Sequence, residues 1–222
     1  MLGYYNYTVI LTYMSLGSAV SGIFLAVKGH PFWALVCLMI SGLCDAFDGK
    51  VARTRKNSTE EEKRFGIQID SLCDLVAFGI LPCTIGYAMG MRSMWYAPVF
   101  IVYILAALIR LAYFNVAEEI RQQNTTETRK FYSGLPVTSA SLLIPLVYGL
   151  IHLLDPFLWQ YVFASALIII AILFVCNFRL RKPGFKGIMI LVGIGILEFL
   201  LIFGLMLLIR HGDFLIRHGG WR

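Results

Sequence analysis

Two stretches of this 222-residue chain set aspartates at helical spacing inside otherwise apolar sequence. The first is Asp45-x-x-Asp48-Gly49-x-x-Ala52-Arg53, and the second is Gly66-x-x-x-Asp70-x-x-x-Asp74. Asp45 and Asp48 stand at i, i+3 and Asp70 and Asp74 at i, i+4, so each pair lies on one helix face. A carboxylate near the centre of a membrane helix costs roughly 2.5 kcal/mol or more. Four of them on consecutive spans require a compensating partner, and divalent cations that favour oxygen ligands, Mg²⁺ or Mn²⁺, are the chemical match. Two such ions held close together can clamp a diphosphate for in-line displacement. Gly49 and Ala52 follow one turn later on nearly the same face. Small residues there leave room for a ligand against the backbone; close helix packing is the alternative reading. Gly66 carries the same two readings. Arg53 either reaches a phosphate or anchors its helix at the membrane interface.

The elements that carry these residues follow from composition. Hydrophobic residues make up 59% of the chain, charged residues only 14%, and the mean hydropathy is +0.75. Soluble domains hold about 25% charged residues, so the chain reads as an all-α integral membrane protein, one transmembrane domain over residues 1–222. About six to seven apolar runs are long enough to span. They cover Tyr7–Val27, Phe32–Val51, Ile67–Met89, Tyr96–Val116, Leu135–Leu154, Leu158–Cys176 and Ile188–Ile209. The first run lacks a basic leader and is read as a span, not a cleaved signal.

Positive charge gathers in alternate loops: Arg53, Arg55, Lys56, Lys63 and Arg64; then Arg121, Arg129 and Lys130; then Arg179, Arg181, Lys182 and Lys186. The positive-inside rule puts these loops, and with them the aspartate ends of the second and third spans, on the cytoplasmic side of the cell membrane. The net charge of +6 is accounted for by these loops facing anionic lipid, so no nucleic-acid partner is expected. The Ser58-Thr59-Glu60-Glu61-Glu62 run offers capping boxes, Ser58 with Glu61 or Thr59 with Glu62, so the third helix starts ahead of the membrane with its glutamates in solvent. Cys37, Cys44, Cys73, Cys83 and Cys176 form no C-x-x-C pair and read as packing residues.

The order D-x-x-D-G-x-x-A-R, spacer, G-x-x-x-D-x-x-x-D resembles the signature of the CDP-alcohol phosphotransferase family. All eight specified positions are present: Asp45, Asp48, Gly49, Ala52, Arg53, Gly66, Asp70 and Asp74. The spacer Thr54–Phe65 is longer than the family's by about one helical turn, which the early start of the third helix accounts for. The resemblance implies that Asp45, Asp48 and Asp70 ligate metal. It implies that Asp74 ligates metal or serves as general base, and that the cytidine nucleotide lies against Gly49, Ala52, Arg53 and Gly66. The first span keeps Leu11-Thr12 of the family's Pro-Asn-x-Leu-Thr motif, which makes Thr12 a candidate nucleotide contact.

Further blocks resemble the phosphatidylserine synthase branch. They are Asp70-Ser-Leu-Cys-Asp-Leu-Val-Ala-Phe-Gly-Ile-Leu-Pro82, Arg110-Leu-Ala-Tyr-Phe-Asn115, where Tyr113 replaces that branch's second arginine, and Phe131-Tyr-Ser-Gly-Leu-Pro136. The resemblance covers about Asp45 to Pro136 and implies phosphatidyl transfer from CDP-diacylglycerol to L-serine, with CMP as leaving product. Arg110, Asn115 and Lys130 are candidate contacts for the acceptor or a phosphate; snorkelling and ordinary loop charge are the alternatives for the two cations. Transfer to glycerol 3-phosphate, inositol phosphate or another alcohol stays open, since a basic cluster near residues 121–130 would suit a phosphorylated acceptor. So does a cation transporter lined by the four carboxylates. A homodimer is compatible with this reading.

Overall fold

The computed structural model describes residues 3–4, 7–52, 54–55, 59–124, 131–151, 158–181 and 183–218, the side chains at 8, 52, 122–124, 131–132 and 209–218 excepted. Its helices are α1 (Ile10–Val27), α2 (Pro31–Ala52), α3 (Glu60–Asp74), α4 (Leu81–Met89), α5 (Ala97–Asn124), α6 (Ala140–Ile151), α7 (Trp159–Val175) and α8 (Phe185–His218). A π turn, Leu75–Ile80, joins α3 to α4, so the two form one rod. Among the described residues, five helices, α3–α4 counted as one, are long and apolar enough to cross a membrane, while α6 and α7 are shorter apolar helices.

The surface is inverted relative to a soluble protein. Ile101, Leu105, Leu108 and Ile109 of α5 and most large apolar residues of α8 point outward, while Thr12, Ser15, Ser41, Asp48, Asp74, Arg110 and Ser141 are buried. A surface covered this densely with large apolar side chains suits lipid rather than water, and buried polar ones mark the interior of a bundle. The protein is a polytopic all-α membrane protein.

The α1–α2 hairpin is held the way membrane helices associate, through small residues and hydroxyl-to-backbone bonds. Ser15 donates to the Ser41 carbonyl at 3.3 Å, Ser41 donates to the Ser15 carbonyl at 3.0 Å, and Ser18 donates to the Cys37 carbonyl at 2.9 Å. Gly22 touches Cys37 and Leu81 so closely that any side chain would collide. Gly42 of α2 is pressed in the same way against Ser141 of α6. At the far end of the hairpin Gly29 turns the chain at φ +80°, a left-handed conformation glycine adopts without strain. The core of the bundle is α3–α4 with α5 and α7: Ala77, Phe78, Leu81, Ile85, Tyr103, Phe163 and Phe174 are buried there.

The third helix begins at Glu60, with Thr59 as its N-cap in a reciprocal capping box with Glu62. That agrees with the Thr59 register expected from the sequence; Ser58 lies outside the described residues. The glutamates are engaged locally. Glu60 pairs with Lys63 at 2.7 Å, Glu62 with Arg55 at 2.8 Å, and Glu61 accepts the Tyr4 hydroxyl at 2.6 Å.

The fifth span differs from expectation. Where a helix over Leu135–Leu154 is expected, Gly134 to Pro136 run without helix, a 3₁₀ turn covers Val137–Ser139, and α6 starts only at Ala140; residues 152–154 lie outside the described residues. The reason lies in α7. The N–H of Gly134 donates to the Phe178 carbonyl at 2.7 Å and that of Leu135 to the Leu173 carbonyl at 3.1 Å. Just before them, β1 (Phe131–Ser133) pairs antiparallel with β2 (Arg179–Arg181). Gly134 sits at φ +79° against the Cys176 carbonyl, where a side chain has neither the conformation nor the space.

Candidate active site

Asp45 and Asp48 stand two turns and one turn before the end of α2, and Asp70 and Asp74 occupy the last turn of α3. One carboxylate oxygen from each of Asp45, Asp70 and Asp74 lies within 4.8 Å of the others. Asp48 adjoins this group through its contact with the Asp70 side chain, and it also receives the backbone N–H of Gly49. Thr12 of α1 donates to Asp48 Oδ2 at 3.4 Å. The structure thus brings all four aspartates and Thr12 to one place, built by α1, α2 and α3. Asp48 and Asp74 are 8% and 7% exposed, while Asp45 and Asp70 are half-buried and form the open side.

Among the described residues, no lysine or arginine pairs with any of the four aspartates; the salt bridges nearby use Glu60, Glu62, Glu118 and Glu119. Converging carboxylates at this spacing in a low-dielectric bundle repel one another strongly. Their hard oxygens are the donor set that Mg²⁺ and Mn²⁺ prefer. The residues present therefore fit a divalent cation.

The remaining expected contacts fall into three groups. Gly66 has no neighbouring atom within 4 Å of where a side chain would start, and Gly49 is exposed, so both leave space beside the carboxylates. Arg53 and Lys130 lie outside the described residues, and Ala52 is described only as the last residue of α2. Arg110 and Asn115 serve as ties between elements. Arg110 is buried, donates from Nε to the Leu135 carbonyl at 3.1 Å and lies 5.9 Å from the Phe114 ring centroid. Asn115 accepts the Ser71 hydroxyl at 2.8 Å and donates to Gln68 at 3.4 Å, joining α5 to the helix that carries Asp70 and Asp74.

Some parts of the site have no obvious mark in the sequence. Lys50, two residues after Asp48, has a buried ammonium that lies over the Phe47 and Phe185 rings at 5.0 and 4.3 Å. It ties the end of α2 to the start of α8. Tyr7 meets Thr54 at 3.1 Å, and Tyr4 packs edge-on to Phe65 at 5.5 Å, so the N-terminal segment crosses the α2–α3 connection. The π turn directly after Asp74 is the third such feature. Pro82 is the one signal that could have found it.

A family described as CDP-alcohol phosphatidyltransferase matches residues 5–178, well past the Asp45–Pro136 region in which the motifs alone are recognisable. Among curated relatives, CDP-diacylglycerol–serine O-phosphatidyltransferase of Helicobacter pylori is 30% identical over 192 residues, covering 83% of this chain and 74% of the relative. The protein of the same name from Saccharomyces cerevisiae is 32% identical over 136 residues, 59% of this chain, which spans only 48% of that longer protein. Archaetidylserine synthase of Methanothermobacter thermautotrophicus is 28% identical over 141 residues, covering 63% of this chain and 56% of the relative. With the family match running through the aspartate cluster and most of the bundle, the chain belongs to the CDP-alcohol phosphatidyltransferase family.

Proposed function

We propose that the protein transfers the phosphatidyl group of CDP-diacylglycerol to L-serine, giving phosphatidylserine and CMP. The observation that carries the reading is the convergence of Asp45, Asp70 and Asp74 on one another, with Asp48 and Thr12 adjoining, in a chain whose relatives bear the serine-transferase name.

Asp45, Asp48 and Asp70 would hold divalent cations, two in number on this reading, with Asp74 as a further ligand. When bound, Mg²⁺ or Mn²⁺ supplies charge neutralisation for the diphosphate and for the departing CMP. The protein's own groups do the rest. Thr12 orients Asp48 through its hydroxyl. Gly49, Ala52 and Gly66 are the proposed contacts for the cytidine nucleotide, and Arg53 is the proposed contact for a phosphate. Asp74, a buried carboxylate, accepts the proton of the serine hydroxyl as that oxygen attacks the phosphorus bearing diacylglycerol. The bond from that phosphorus to the CMP oxygen breaks, and CMP leaves with the electron pair. Arg110, a buried cation, and Asn115, bonded to the residue next to Asp70, are the groups proposed to meet serine's carboxylate. Lys130 is the corresponding proposal for a phosphorylated acceptor.

The active site is proposed to face the cytoplasm in the cell membrane. The β1–β2 pairing and the Arg64–Glu119 pair at 3.8 Å support one shared side for the basic loops, and the positive-inside rule names that side. Substrate tails then enter from the bilayer and serine from the cytoplasm. The test is CMP release from CDP-diacylglycerol by purified protein in detergent. The reading expects release that needs both L-serine and Mg²⁺ or Mn²⁺ and stops on chelation. Cation flux without CMP release would favour a transport role for the carboxylates instead.

A further inference from the structure

Asp74 is the last residue of α3, and the backbone changes its winding immediately after it. From Leu75 to Ile80 the chain makes a π turn, in which the N–H of Leu81 reaches back five residues to the Val76 carbonyl. The cause is Pro82. In an unbroken α-helix the carbonyl of Phe78 would accept the N–H of residue 82, but proline has no N–H and its ring collides with the carbonyl four residues earlier. Winding the preceding turn one residue wider relieves the collision. The Phe78 carbonyl, four residues before Pro82, receives no N–H from residue 82.

A side-chain donor to this carbonyl comes from another helix. Tyr103 of α5 is completely buried, and its hydroxyl donates to the Phe78 carbonyl at 3.0 Å while its ring packs on Phe174 of α7 at 5.7 Å. Four residues before Leu75, Ser71 is bonded to Asn115 of the same α5. Asp74 thus lies between two hydrogen bonds to one helix, one on each side of it in sequence. A π turn rotates the residues beyond it by about 100° relative to an unbroken helix. Its presence therefore sets which way the Asp70–Asp74 face points once Leu81 and Ile85 are seated in the core.

We propose that Tyr103, acting on the π turn imposed by Pro82, is a positioning residue that fixes Asp74 against Asp45 and Asp70. This rests on the proposed role of the aspartate cluster in transfer. Tyr103 touches neither substrate nor metal and acts only through the Phe78 carbonyl.

The test uses the full-length protein in detergent, with Mn²⁺ binding read by loss of the free-ion magnetic resonance signal, alongside turnover and thermal unfolding. Tyr103→Phe keeps the ring and removes the donor. It should raise the Mn²⁺ concentration for half-saturation by about tenfold and lower kcat by about 10- to 100-fold, the scale of a sub-ångström to 1 Å misplacement. The KM for CDP-diacylglycerol should stay within about twofold. Pro82→Ala restores a donor for Phe78 and should lower Mn²⁺ affinity as well, and the double variant should be no worse than about the weaker single, because both act on one turn. Phe174→Leu is the control for packing alone. It should lower the unfolding temperature with Mn²⁺ affinity unchanged.

Wild-type Mn²⁺ affinity and kcat in Tyr103→Phe overturn the inference. So does an equal loss of Mn²⁺ affinity in Phe174→Leu at the same unfolding temperature. If Tyr103→Phe does not fold, Pro82→Ala decides alone, and unchanged Mn²⁺ affinity there overturns the inference. The proposed function fails separately, if the wild type binds Mn²⁺ but transfers nothing to serine.

Discussion

Replacing Asp74 by Asn should make the metal-free protein more stable and the enzyme inactive. The ligand oxygens of Asp45, Asp70 and Asp74 lie within 4.8 Å of one another. At that distance, with an effective dielectric constant of about 20, each like-charged pair costs about 3.5 kcal/mol. Removing one carboxylate relieves two of the three pairs, or about 7 kcal/mol gross. That figure is an upper bound: proton sharing among carboxylates this close, solvent reaching the half-buried Asp45 and Asp70 and the cost of seating an amide reduce it, leaving a net gain of about 1–2 kcal/mol. In a chain of this length that is about 2–8 °C in unfolding temperature. The assay is thermal unfolding in detergent with excess chelator, then with Mn²⁺ at millimolar concentration. Asp74→Asn should unfold above wild type in chelator and gain less from Mn²⁺, while transfer to serine falls by about 10²–10⁴-fold, the usual contribution of a general base. An unfolding temperature below wild type in chelator, together with an unchanged response to Mn²⁺, would refute the reasoning that mutual repulsion drives this cluster to bind cations.

Three further outcomes are expected from the geometry. Thr12→Val removes the hydroxyl that bonds Asp48 and should lower kcat/KM for CDP-diacylglycerol by about three- to tenfold, with kcat the less affected; initial rates over a substrate series check it. Gly42→Ala drives a methyl group into Ser141 and should destabilise the bundle by about 1–3 kcal/mol, with Ser141→Gly restoring the unfolding temperature of the double variant. For topology, a cysteine at Asn57 in a background without accessible thiols should react with an impermeant maleimide only from the cytoplasmic side, and one at Lys28 only from outside; the reverse pattern would place the aspartates away from cytoplasmic serine.

The chemistry of this protein is written in short-range spacing, which is why much of it could be read from the chain. Asp45 with Asp48 and Asp70 with Asp74 share helix faces by arithmetic alone, and the apolar runs that carry them are long enough to be recognised without a structure. The Thr59–Glu62 capping box is equally local and marks the start of α3. Other features depend on partners remote in sequence. Gly134-Leu135-Pro136 looks like the start of a span, but its backbone bonds to Leu173 of α7 and to Phe178 just beyond it, and α6 starts only at Ala140. Phe131–Ser133 pairs with Arg179–Arg181 across most of two helices, beyond the reach of local periodicity. Pro82 announces a break in the third span, but not that the break is a π turn, nor that Tyr103 of α5 donates to the Phe78 carbonyl within it. Arg110 and Asn115 are conspicuous as polar residues in an apolar run. Their bonds to Leu135 and Ser71 show a tie between helices that composition alone does not distinguish from a substrate contact.

The acceptor is the point on which the proposed function turns. Purified protein, CDP-diacylglycerol and Mn²⁺ should be supplied in one reaction with L-serine, glycerol 3-phosphate and inositol phosphate at equal concentration, and the lipid products resolved by mass. Phosphatidylserine is predicted as the dominant product, with one CMP released for each molecule formed and none in chelator. A dominant phosphorylated product, phosphatidylglycerol phosphate or its inositol counterpart, would contradict serine as the acceptor while leaving the aspartate cluster and its metal chemistry in place.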